Sequence, residues 1–343
     1  MSAAEQLHQM AEPIQPGAVA GVGTALPPGR LTNTDLEERL DTTTRWITER
    51  TGITERRVGG ATGDLAVAAA RRAVEDAGCD PSSIDLVILA TSTPDQTMPA
   101  TAVRIQAELG TTGGAYDLNA ACSGFVFALI SAFGAFATGT RRVLVVGADA
   151  MSRIVDPDDR GTAILFGDGA GALVLDRGPA TDRLEPRRDI HRGGRARLCS
   201  AAPGLLGADI GTDGNLAHLL SAPLGGTIAM EGREVFRQAV RMTVESSRAS
   251  LDAAGLSPTD VDLFVPHQAN RRIIDSAADR LGIPAGRTVS VIEATGNTSA
   301  ASIPLALAAA RSEGRLTDGS IVLMAGFGAG MSWATSVIRW GEA

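Results

Sequence analysis

The sequence predicts an α/β fold assembled from two similar halves. Apolar runs typical of buried strands, such as residues 86–89 and 143–146, alternate with alanine-rich helical stretches such as residues 64–77. Strands that alternate with helices along a chain indicate the α/β class. In addition, the segment 77–86 recurs as residues 254–263, at an offset of 177 residues (77 to 254). Each copy is expected to contain a helix end, a Pro turn and a buried strand.

A second match supports the duplication. The run at 142–147 aligns loosely with residues 320–326, near the same offset. Two matches at one spacing predict a duplicated βαβ half, with the active site where the halves meet. The predicted segments are an extension at 1–16 that is expected to be disordered, a first half at 17–176, an irregular Arg-rich connection at 177–217 and a second half at 218–343. The arginines of the connection indicate a solvated loop, with docking of an acidic partner as the alternative.

Composition excludes several classes of protein. The 343 residues are 44% hydrophobic, which is ample for a sizeable core. The net charge of −8 argues against binding to nucleic acid. The longest apolar stretch, residues 124–137, is shorter than the ~18 residues that a membrane span needs, so no membrane association is expected.

The cysteines and the chain start indicate the compartment. Cys79, Cys122 and Cys199 are odd in number and lack zinc-ligand spacing, so neither disulfides nor a metal site is expected. Residues 1–13 contain acidic residues and no hydrophobic run, unlike a signal peptide. We therefore expect a cytoplasmic protein.

Cys122 is the candidate nucleophile. The residues before it look extended, and those after it are apolar on every face, as in a buried helix. The thiol is therefore predicted at a helix N-terminus, where the macrodipole favours thiolate and free N–H groups can receive an oxyanion. Taken alone, such a cysteine is more often a small buried hydrophobic residue.

Two polar residues of the second half are candidates for the same chemistry. His267 follows an apolar run that ends at Pro266, and the C-terminal end of a buried strand is a favoured catalytic position in α/β proteins. Asn297 lies in a Gly-flanked turn, and the 177-residue offset aligns Cys122 with Ser299 in that turn. An Asn there is usually a turn-former, but its amide can also donate to a developing oxyanion. The Gly-rich run 326–330 lacks dinucleotide-fingerprint spacing.

Five motifs together resemble the β-ketoacyl-acyl-carrier-protein synthase III family, whose members have the thiolase fold. The resemblance covers roughly residues 21–340, and its motifs lie at 44–53, 121–125, 159–169, 266–270 and 296–302. It implies a thiolase-like fold whose two pseudo-duplicated halves form a five-layered αβαβα core. It also implies a homodimer, acyl-CoA and malonyl-acyl carrier protein as substrates, and no cofactor beyond the coenzyme A of the substrate.

The resemblance implies a Cys-His-Asn centre and a decarboxylating condensation. Cys122 would accept an acyl group from acyl-CoA, with the N–H groups of Cys122 and Ala329 holding the oxyanion. Malonyl-acyl carrier protein would then lose carbon dioxide, while His267 and Asn297 donate hydrogen bonds to the enolate oxygen. The carbanion would attack the acyl group and give β-ketoacyl-acyl carrier protein, the priming product of fatty acid or polyketide synthesis.

The resemblance also assigns binding residues. Trp46 and Arg160 would hold the adenine of coenzyme A, Arg50 would lie near the nucleotide, and Phe327 would cover the sulfur. Three basic residues would meet the acidic carrier protein, with solvated helix faces as the alternative; they are Arg237, Arg272 and Arg280.

Some positions depart from the family. Met98 stands where strictly acetyl-primed members carry a bulky aromatic residue that reaches the partner's acyl pocket. Because Met is flexible, we expect propionyl, butyryl or branched primers to be accepted, with core packing as the alternative role of Met98. The connection at 177–209 is longer than usual and the stretch 221–230 is shorter.

Three other functions compete with condensation. The first is acyl transfer from a thioester to an alcohol or amine without chain extension, which the presence of both His267 and Asn297 disfavours. The second is a non-catalytic partner of a carrier protein, which Cys122 disfavours. The third is a plant-type chalcone synthase, disfavoured because Ala329 stands where that family has Pro.

Overall fold

The computed structural model describes residues 17–177 and 203–341. The predicted extension at 1–16 and most of the predicted Arg-rich connection, residues 178–202, lie outside these ranges. The strands are β1 (Ala18–Ala25), β2 (Gly29–Thr32), β3 (Glu55–Val58), β4 (Leu86–Ala90), β5 (Gly114–Leu118), β6 (Arg142–Ala150), β7 (Asp168–Asp176), β8 (Gly204–Thr212), β9 (Leu220–Ser221), β10 (Ala229–Met230), β11 (Leu263–Pro266), β12 (Ile321–Gly328) and β13 (Ser332–Arg339).

The helices complete each half. They are α1 (Asn33–Glu37), α2 (Thr44–Thr51), α3 (Thr62–Asp76), α4 (Thr101–Leu109), α5 (Gly124–Ala137), α6 (Arg160–Ala163), α7 (Gly232–Ala253), α8 (Arg271–Leu281), α9 (Ile292–Thr295) and α10 (Ser302–Ser312). No helix of the described ranges combines the length and apolarity needed to cross a bilayer.

Two mixed sheets form the centre of the molecule. The first has the strand order β1-β7-β6-β4-β5, and the second has the order β11-β12-β13-β8. In both sheets a parallel pair, β4 with β6 or β11 with β12, continues into antiparallel strands. Two short antiparallel pairs, β2 with β3 and β9 with β10, lie outside the two central sheets.

The sheets and helices stack in five layers, as the thiolase-like fold predicts. Helices α3 and α4 cover the outer face of the first sheet, and α7 and α8 cover the outer face of the second. Helices α5 and α10 lie between the sheets. Because both faces of each sheet are covered, strand residues on both faces are apolar: Val322 and Met324 face the middle layer, and Leu323 and Ala325 face α7 and α8.

Burial between two sheets explains why α5 is apolar around its whole circumference. Phe125, Leu129 and Phe136 are fully buried and pack in the central cluster with residues of α10 such as Ile303 and Leu307. The two helices therefore fix the distance between the sheets, and each begins at a turn that belongs to the candidate site.

The predicted repeat is confirmed at its first match. Helix α3 is followed by a 3-10 turn at Pro81–Ser83 and then by β4, and α7 is followed by a 3-10 turn at Pro258–Asp260 and then by β11.

A pair of strained turns corrects the predicted alignment by one residue. The 3-10 turns Ala121–Ser123 and Ser299–Ala301 precede α5 and α10, and their first residues have φ of 48° and 50°. These matching residues are 178 positions apart, so Cys122 corresponds to Ala300 rather than to Ser299. The second half has gained one residue between its first match and this turn.

Strand β8 corrects the predicted connection at 177–217. Residues 204–212 pair antiparallel with β13 along their whole length, so irregular structure is wrong for this part of the segment. The strand contains three glycines and no regular apolar alternation, which is why its sequence did not indicate a strand.

Candidate active site

Two cavities meet at Cys122. The larger, about 510 Å³, is lined by Cys122, His267, Asn297 and Phe327 among other residues, so the structure brings together the three predicted catalytic side chains. The smaller, about 170 Å³, is also lined by Cys122. The thiol therefore faces one space that contains the polar donors and a second space behind it.

The backbone of the second half approaches the Cys122 turn closely. Asn119 Oδ1 accepts the N–H of Ala121 at 3.1 Å and closes the turn in which Cys122 sits. A Cβ atom at Gly328 would lie 2.7 Å from the Cys122 nitrogen, so only glycine fits there. The end of β12 therefore runs directly beside the Cys122 N–H, and Ala329 lines the smaller cavity with Cys122.

Burial keeps the Cys122 thiol protonated. Desolvation raises the pKa of this thiol to about 12, with the nearby Asp149 carboxylate also raising it and the Ser299 hydroxyl lowering it. Cys122 lies in the 3-10 turn directly before α5, and desolvation is the largest influence on its pKa. The expected preference for thiolate is therefore wrong for the unliganded site.

His267 is held from three sides at the end of β11. Its backbone N–H donates to the Ala325 carbonyl at 2.8 Å, and its ring Nδ1 lies 2.7 Å from the Ser302 hydroxyl. The ring also packs edge-to-face on Phe327, with 5.2 Å between the ring centroids. Desolvation lowers the pKa of His267 to about 3, so the ring is neutral at physiological pH.

Asn297 is fixed by its backbone and by its side-chain oxygen. Its N–H donates to the Leu165 carbonyl at 2.8 Å, and its carbonyl accepts from the Gly167 N–H at 3.0 Å. Its Oδ1 accepts the Ser299 N–H at 2.9 Å. The oxygen is thus engaged, and the amide NH₂ has no hydrogen-bond partner within the ranges that the structure covers.

The predicted nucleotide-binding residues form one cluster at the larger cavity. The guanidinium groups of Arg50 and Arg160 lie 5.8 Å and 5.0 Å from the Trp46 ring centroid. Arg160 also donates to the Asp41 carbonyl at 2.7 Å, which fixes it beside the ring. Trp46 and Arg50 line the cavity, whereas Arg160 adjoins it through its neighbour Gly161.

The three predicted docking arginines differ in environment. Arg272 lines the larger cavity and lies 5.5 Å from the Phe236 ring. Arg237 is exposed on α7 and ion-paired with Glu234 at 2.7 Å. Arg280 is exposed near the end of α8, about 12 Å along the helix from Arg272.

Met98 lies outside both cavities. It is 79% exposed, in a loop that also contains a cis peptide bond to Pro99. A Met this exposed does not fill the core of its own chain, so the predicted alternative of core packing is wrong.

Sequence reasoning missed two buried charges near the site. The Asp149 carboxylate, fully buried, accepts N–H groups of Ser92 at 2.7 Å and Thr93 at 3.1 Å on one oxygen and of Ala300 at 3.1 Å on the other. Burial raises the pKa of this carboxyl. The Asp149 carboxylate therefore connects the loop after β4 to the turn that follows Asn297.

The second missed charge binds Ile164, the neighbour of the Leu165 carbonyl that accepts the Asn297 N–H. Arg56 is fully buried, and its Nε donates to the Ile164 carbonyl at 3.0 Å while Nη1 donates to Asn33 Oδ1 at 2.5 Å. Desolvation lowers the pKa of Arg56 to about 10, which leaves it charged at neutral pH. Its burial was not predictable from the sequence, because its hydrogen-bond partners Asn33 and Ile164 lie 23 and 108 residues away along the chain.

Arg233 was also missed. It lines the larger cavity at the start of α7, together with Arg50 and Arg272. Three arginines at one cavity form a positively charged lining suited to phosphate groups. No group of three or more potential metal ligands occurs in residues 17–177 and 203–341.

A buried Cys, His and Asn that converge between two repeated halves define a condensing enzyme of the thiolase-like fold. A family model described as 3-oxoacyl-[acyl-carrier-protein (ACP)] synthase III matches residues 116–186, and the model of its C-terminal part matches residues 251–340. The β-ketoacyl-[acyl-carrier-protein] synthase III of Brucella anthropi is 46% identical over 334 residues, covering 94% of this chain and 98% of the relative. The chain therefore belongs to the β-ketoacyl-acyl-carrier-protein synthase III family.

Solved structures agree with this assignment. The 3-oxoacyl-[acyl-carrier-protein] synthase III from Aquifex aeolicus VF5 superimposes with a TM-score of 0.86 at 40% identity, covering 94% of this chain and all of that one. The priming β-ketosynthase from the R1128 polyketide biosynthetic pathway gives a TM-score of 0.84 at 37% identity, covering 97% and 99%. The protein is an acyltransferase that performs the priming condensation of acyl-chain synthesis.

Proposed function

We propose that Cys122 is the nucleophile of a two-stage condensation and that His267 and Asn297 serve its second stage. The convergence of all three side chains on one cavity carries this proposal. In the first stage the Cys122 sulfur attacks the thioester carbon of acyl-CoA, and the carbon–sulfur bond to coenzyme A breaks. The Cys122 thiol loses one proton and the departing coenzyme A thiolate gains one, so this stage has no net proton change.

The second stage begins when malonyl-acyl carrier protein enters the larger cavity. The bond to its carboxylate breaks, carbon dioxide leaves, and the electron pair moves to the thioester oxygen as an enolate. His267 and the Asn297 amide donate hydrogen bonds to that oxygen, in a site whose burial strengthens each bond. The enolate carbon attacks the acyl group and expels Cys122 as a thiolate, which takes up a proton from water, and β-ketoacyl-acyl carrier protein is formed.

The N–H groups of Cys122 and Ala329 form the proposed oxyanion hole of both acyl transfers. The close approach that only Gly328 permits supports this assignment, because it brings the end of β12 to the Cys122 N–H. Backbone donors of this kind need no reorganisation when the tetrahedral intermediate forms.

The larger cavity supplies the proposed binding residues for the thioester donors. Trp46, with Arg50 and Arg160 over its ring, offers a surface on which adenine can stack, and Phe327 closes over the reacting sulfur. For the acidic carrier protein, Arg237, Arg272 and Arg280 form the proposed docking face. Arg272 is best supported, because it lines the cavity through which the carrier's arm must pass.

The smaller cavity is the proposed primer site. It is lined by Met151, Ile154, Phe166 and Ile228, and its volume of about 170 Å³ compares with the ~150 Å³ that holds a benzene ring. An acyl chain of about four to six carbons therefore fits. With Met98 reaching this site from the partner subunit of a homodimer, the pocket floor is adaptable, which favours propionyl, butyryl and branched primers.

The pathway and the compartment are part of the same proposal. Priming of fatty acid synthesis and priming of a polyketide both suit the site, and the likeness to a priming β-ketosynthase of a polyketide pathway supports the second as well as the first.

A cytoplasmic location fits free thiols at Cys79 and Cys122. No metal or redox cofactor is proposed, because the condensation is complete with coenzyme A thioesters and side chains alone.

Intact-protein mass tests the proposal directly. The protein is mixed with a panel of acyl-CoAs and then with malonyl-acyl carrier protein. We expect an acyl mass gain on Cys122 that disappears as carbon dioxide and β-ketoacyl carrier protein form, largest for the propionyl, butyryl and branched primers. A gain that persists with the malonyl carrier but clears with alcohols or amines would establish simple acyl transfer instead. Acetyl-CoA as the sole working primer would contradict the pocket assignment.

A further inference from the structure

The hydroxyl of Ser302 lies within hydrogen-bond distance of the His267 imidazole. His267 Nδ1 and Ser302 Oγ are 2.7 Å apart, and both residues are 1% exposed. Ser302 does not line either cavity around Cys122. It therefore acts on substrate only through His267.

A second donor determines which way the hydrogen bond runs. The N–H of Gln268 donates to Ser302 Oγ at 3.3 Å. If Nδ1 also donated, the Ser302 oxygen would receive two N–H groups while its own O–H had no acceptor among the residues described. If Ser302 donates to Nδ1 instead, every one of these buried groups is satisfied, which is the arrangement that buried polar groups adopt.

We propose that Ser302 is a positioning residue that holds the neutral His267 ring in the tautomer carrying its proton on Nε2. This inference rests on the role proposed for His267. Nδ1 is then occupied as an acceptor, and Nε2–H points away from Ser302 towards the cavity. His267 is consequently a hydrogen-bond donor throughout the cycle and is never the base that takes the Cys122 proton.

The surroundings hold Ser302 rigidly enough for this task. Ser302 is the first residue of α10, directly after the strained turn Ser299–Ala301. Gln268 is fixed in turn, because its Nε2 donates to the Pro266 carbonyl at 2.6 Å and its Oε1 accepts the Val291 N–H at 2.9 Å. The His267 ring and the Ser302 hydroxyl therefore lie at the ends of two packed elements, β11 and α10, which hold them together.

With its proton on Nε2, the His267 ring takes part in decarboxylation but not in acylation. Decarboxylation needs donors to the enolate oxygen and transfers no proton to His267. Acylation moves a proton from the Cys122 thiol to the coenzyme A thiolate and does not involve the ring. Loss of the Ser302 hydroxyl frees the ring to rotate or to place its proton on Nδ1, so it removes one enolate donor and leaves acylation intact.

The test compares Ser302→Ala with Ser302→Thr, which restores the hydroxyl. Acyl-enzyme formation is followed by intact mass, and carbon dioxide release from malonyl-acyl carrier protein is followed separately. We expect Ser302→Ala to slow decarboxylation by about 10- to 100-fold, the range seen when a group that orients a functional His is removed. Acylation stays unchanged in both variants, and Ser302→Thr recovers most of the decarboxylation.

Nitrogen-15 NMR of the imidazole shows which ring nitrogen carries the proton, and this result would not depend on Ser302 if its role were only structural. In the wild-type protein, with the His267 signal identified by its loss in His267→Gln, we expect a protonated Nε2 and an unprotonated Nδ1. A proton on Nδ1 in the wild type would overturn the proposal even if Ser302→Ala failed to fold. Equal slowing of acylation and decarboxylation in Ser302→Ala would also overturn it.

A further variant separates this inference from the proposed function. If His267→Ala decarboxylates malonyl-acyl carrier protein at the wild-type rate, the role of His267 itself is wrong. If His267→Ala is slow while Ser302→Ala matches the wild type, only the positioning role of Ser302 fails.

Discussion

At the scale of single residues, burial decides the charge of the catalytic groups. Cys122 and His267 lie in the same desolvated space, and desolvation raises the pKa of the thiol to about 12 and lowers that of the imidazole to about 3. Both groups are therefore neutral when no substrate is bound. Burial therefore disfavours a resident thiolate–imidazolium ion pair, which is the arrangement that many cysteine nucleophiles use.

The lowered pKa of His267 predicts a loss of stability in acid. Between pH 6.5 and about 3 the unfolded chain binds a proton at this residue and the folded protein does not. The free energy of unfolding should therefore fall by about 1.4 kcal/mol for each pH unit below 6.5 from this group alone. Urea denaturation at pH 7.5, 6 and 5 measures the slope, and His267→Gln should remove that part of it. Identical slopes in the two proteins would contradict the prediction.

Asn297 offers a test with a matched control. Asn297→Ala should leave acylation intact and slow condensation by about 10²- to 10³-fold, because the enolate loses one donor. Asn297→Asp keeps the oxygen that accepts the Ser299 N–H but lacks the amide hydrogens. It should therefore fail in condensation as severely as the Ala variant, as measured by carbon dioxide release. Wild-type condensation by Asn297→Asp would show that the amide is not a donor.

At the scale of elements, the end of β12 matters because its backbone runs against the nucleophile turn. Gly328→Ala would place a Cβ 2.7 Å from the Cys122 nitrogen, where the oxyanion is expected to bind. We expect acyl-enzyme formation to fall by about 10²-fold or more, as when an oxyanion donor is lost.

The matched control is Gly134→Ala in α5. A Cβ at this position meets nothing within 4 Å, and residue 134 is exposed. Replacing a helix-interior Gly with Ala stabilises by about 0.5–1 kcal/mol, so this variant should melt higher and acylate normally. Normal acylation by Gly328→Ala would argue against an oxyanion hole at the Cys122 N–H.

The sequence was informative where a property is local and uninformative where it depends on packing. The turn before α5 and the strand before His267 were predictable from apolar runs beside polar residues. Ser302 was visible only as part of a motif, since its contact with His267 requires β11 and α10 to meet across 35 residues of chain. Asp149 receives an N–H from 151 residues away, and the depth of burial that raises the Cys122 pKa is likewise a tertiary property.

At the scale of the whole molecule, the β5 edge of the first sheet has no paired strand within residues 17–177 and 203–341. Strand β5 pairs with β4 on one side only, and its Tyr116 is 40% exposed. An unprotected edge with an exposed aromatic residue is a typical site for strand pairing between chains. We propose that the homodimer forms there and brings the exposed Met98 of each chain towards its partner.

Solution mass tests this dimer. We expect sedimentation analysis to give twice the chain mass of 35.2 kDa. Tyr116→Lys should shift the protein towards monomer, because charges on edge strands oppose pairing. Ile210→Lys is the control, since Ile210 is 54% exposed on β8, the edge strand of the second sheet, and should leave the dimer intact. A monomeric wild-type protein, or equal dissociation in both variants, would contradict the proposed interface.

The paired turns at Ala121 and Ser299 also constrain how this molecule can change. In each turn an Asn oxygen, from Asn119 or Asn297, accepts the N–H two residues on, although only the first turn contains a cysteine. Both turns therefore share one structural device, although the roles proposed for them differ, with the nucleophile in the first and an enolate donor in the second. Because the two turns meet face to face, a residue inserted in either would displace both cavities at once. We therefore expect substrate preference to be changed by substituting side chains in the walls of the cavities rather than by altering the turns.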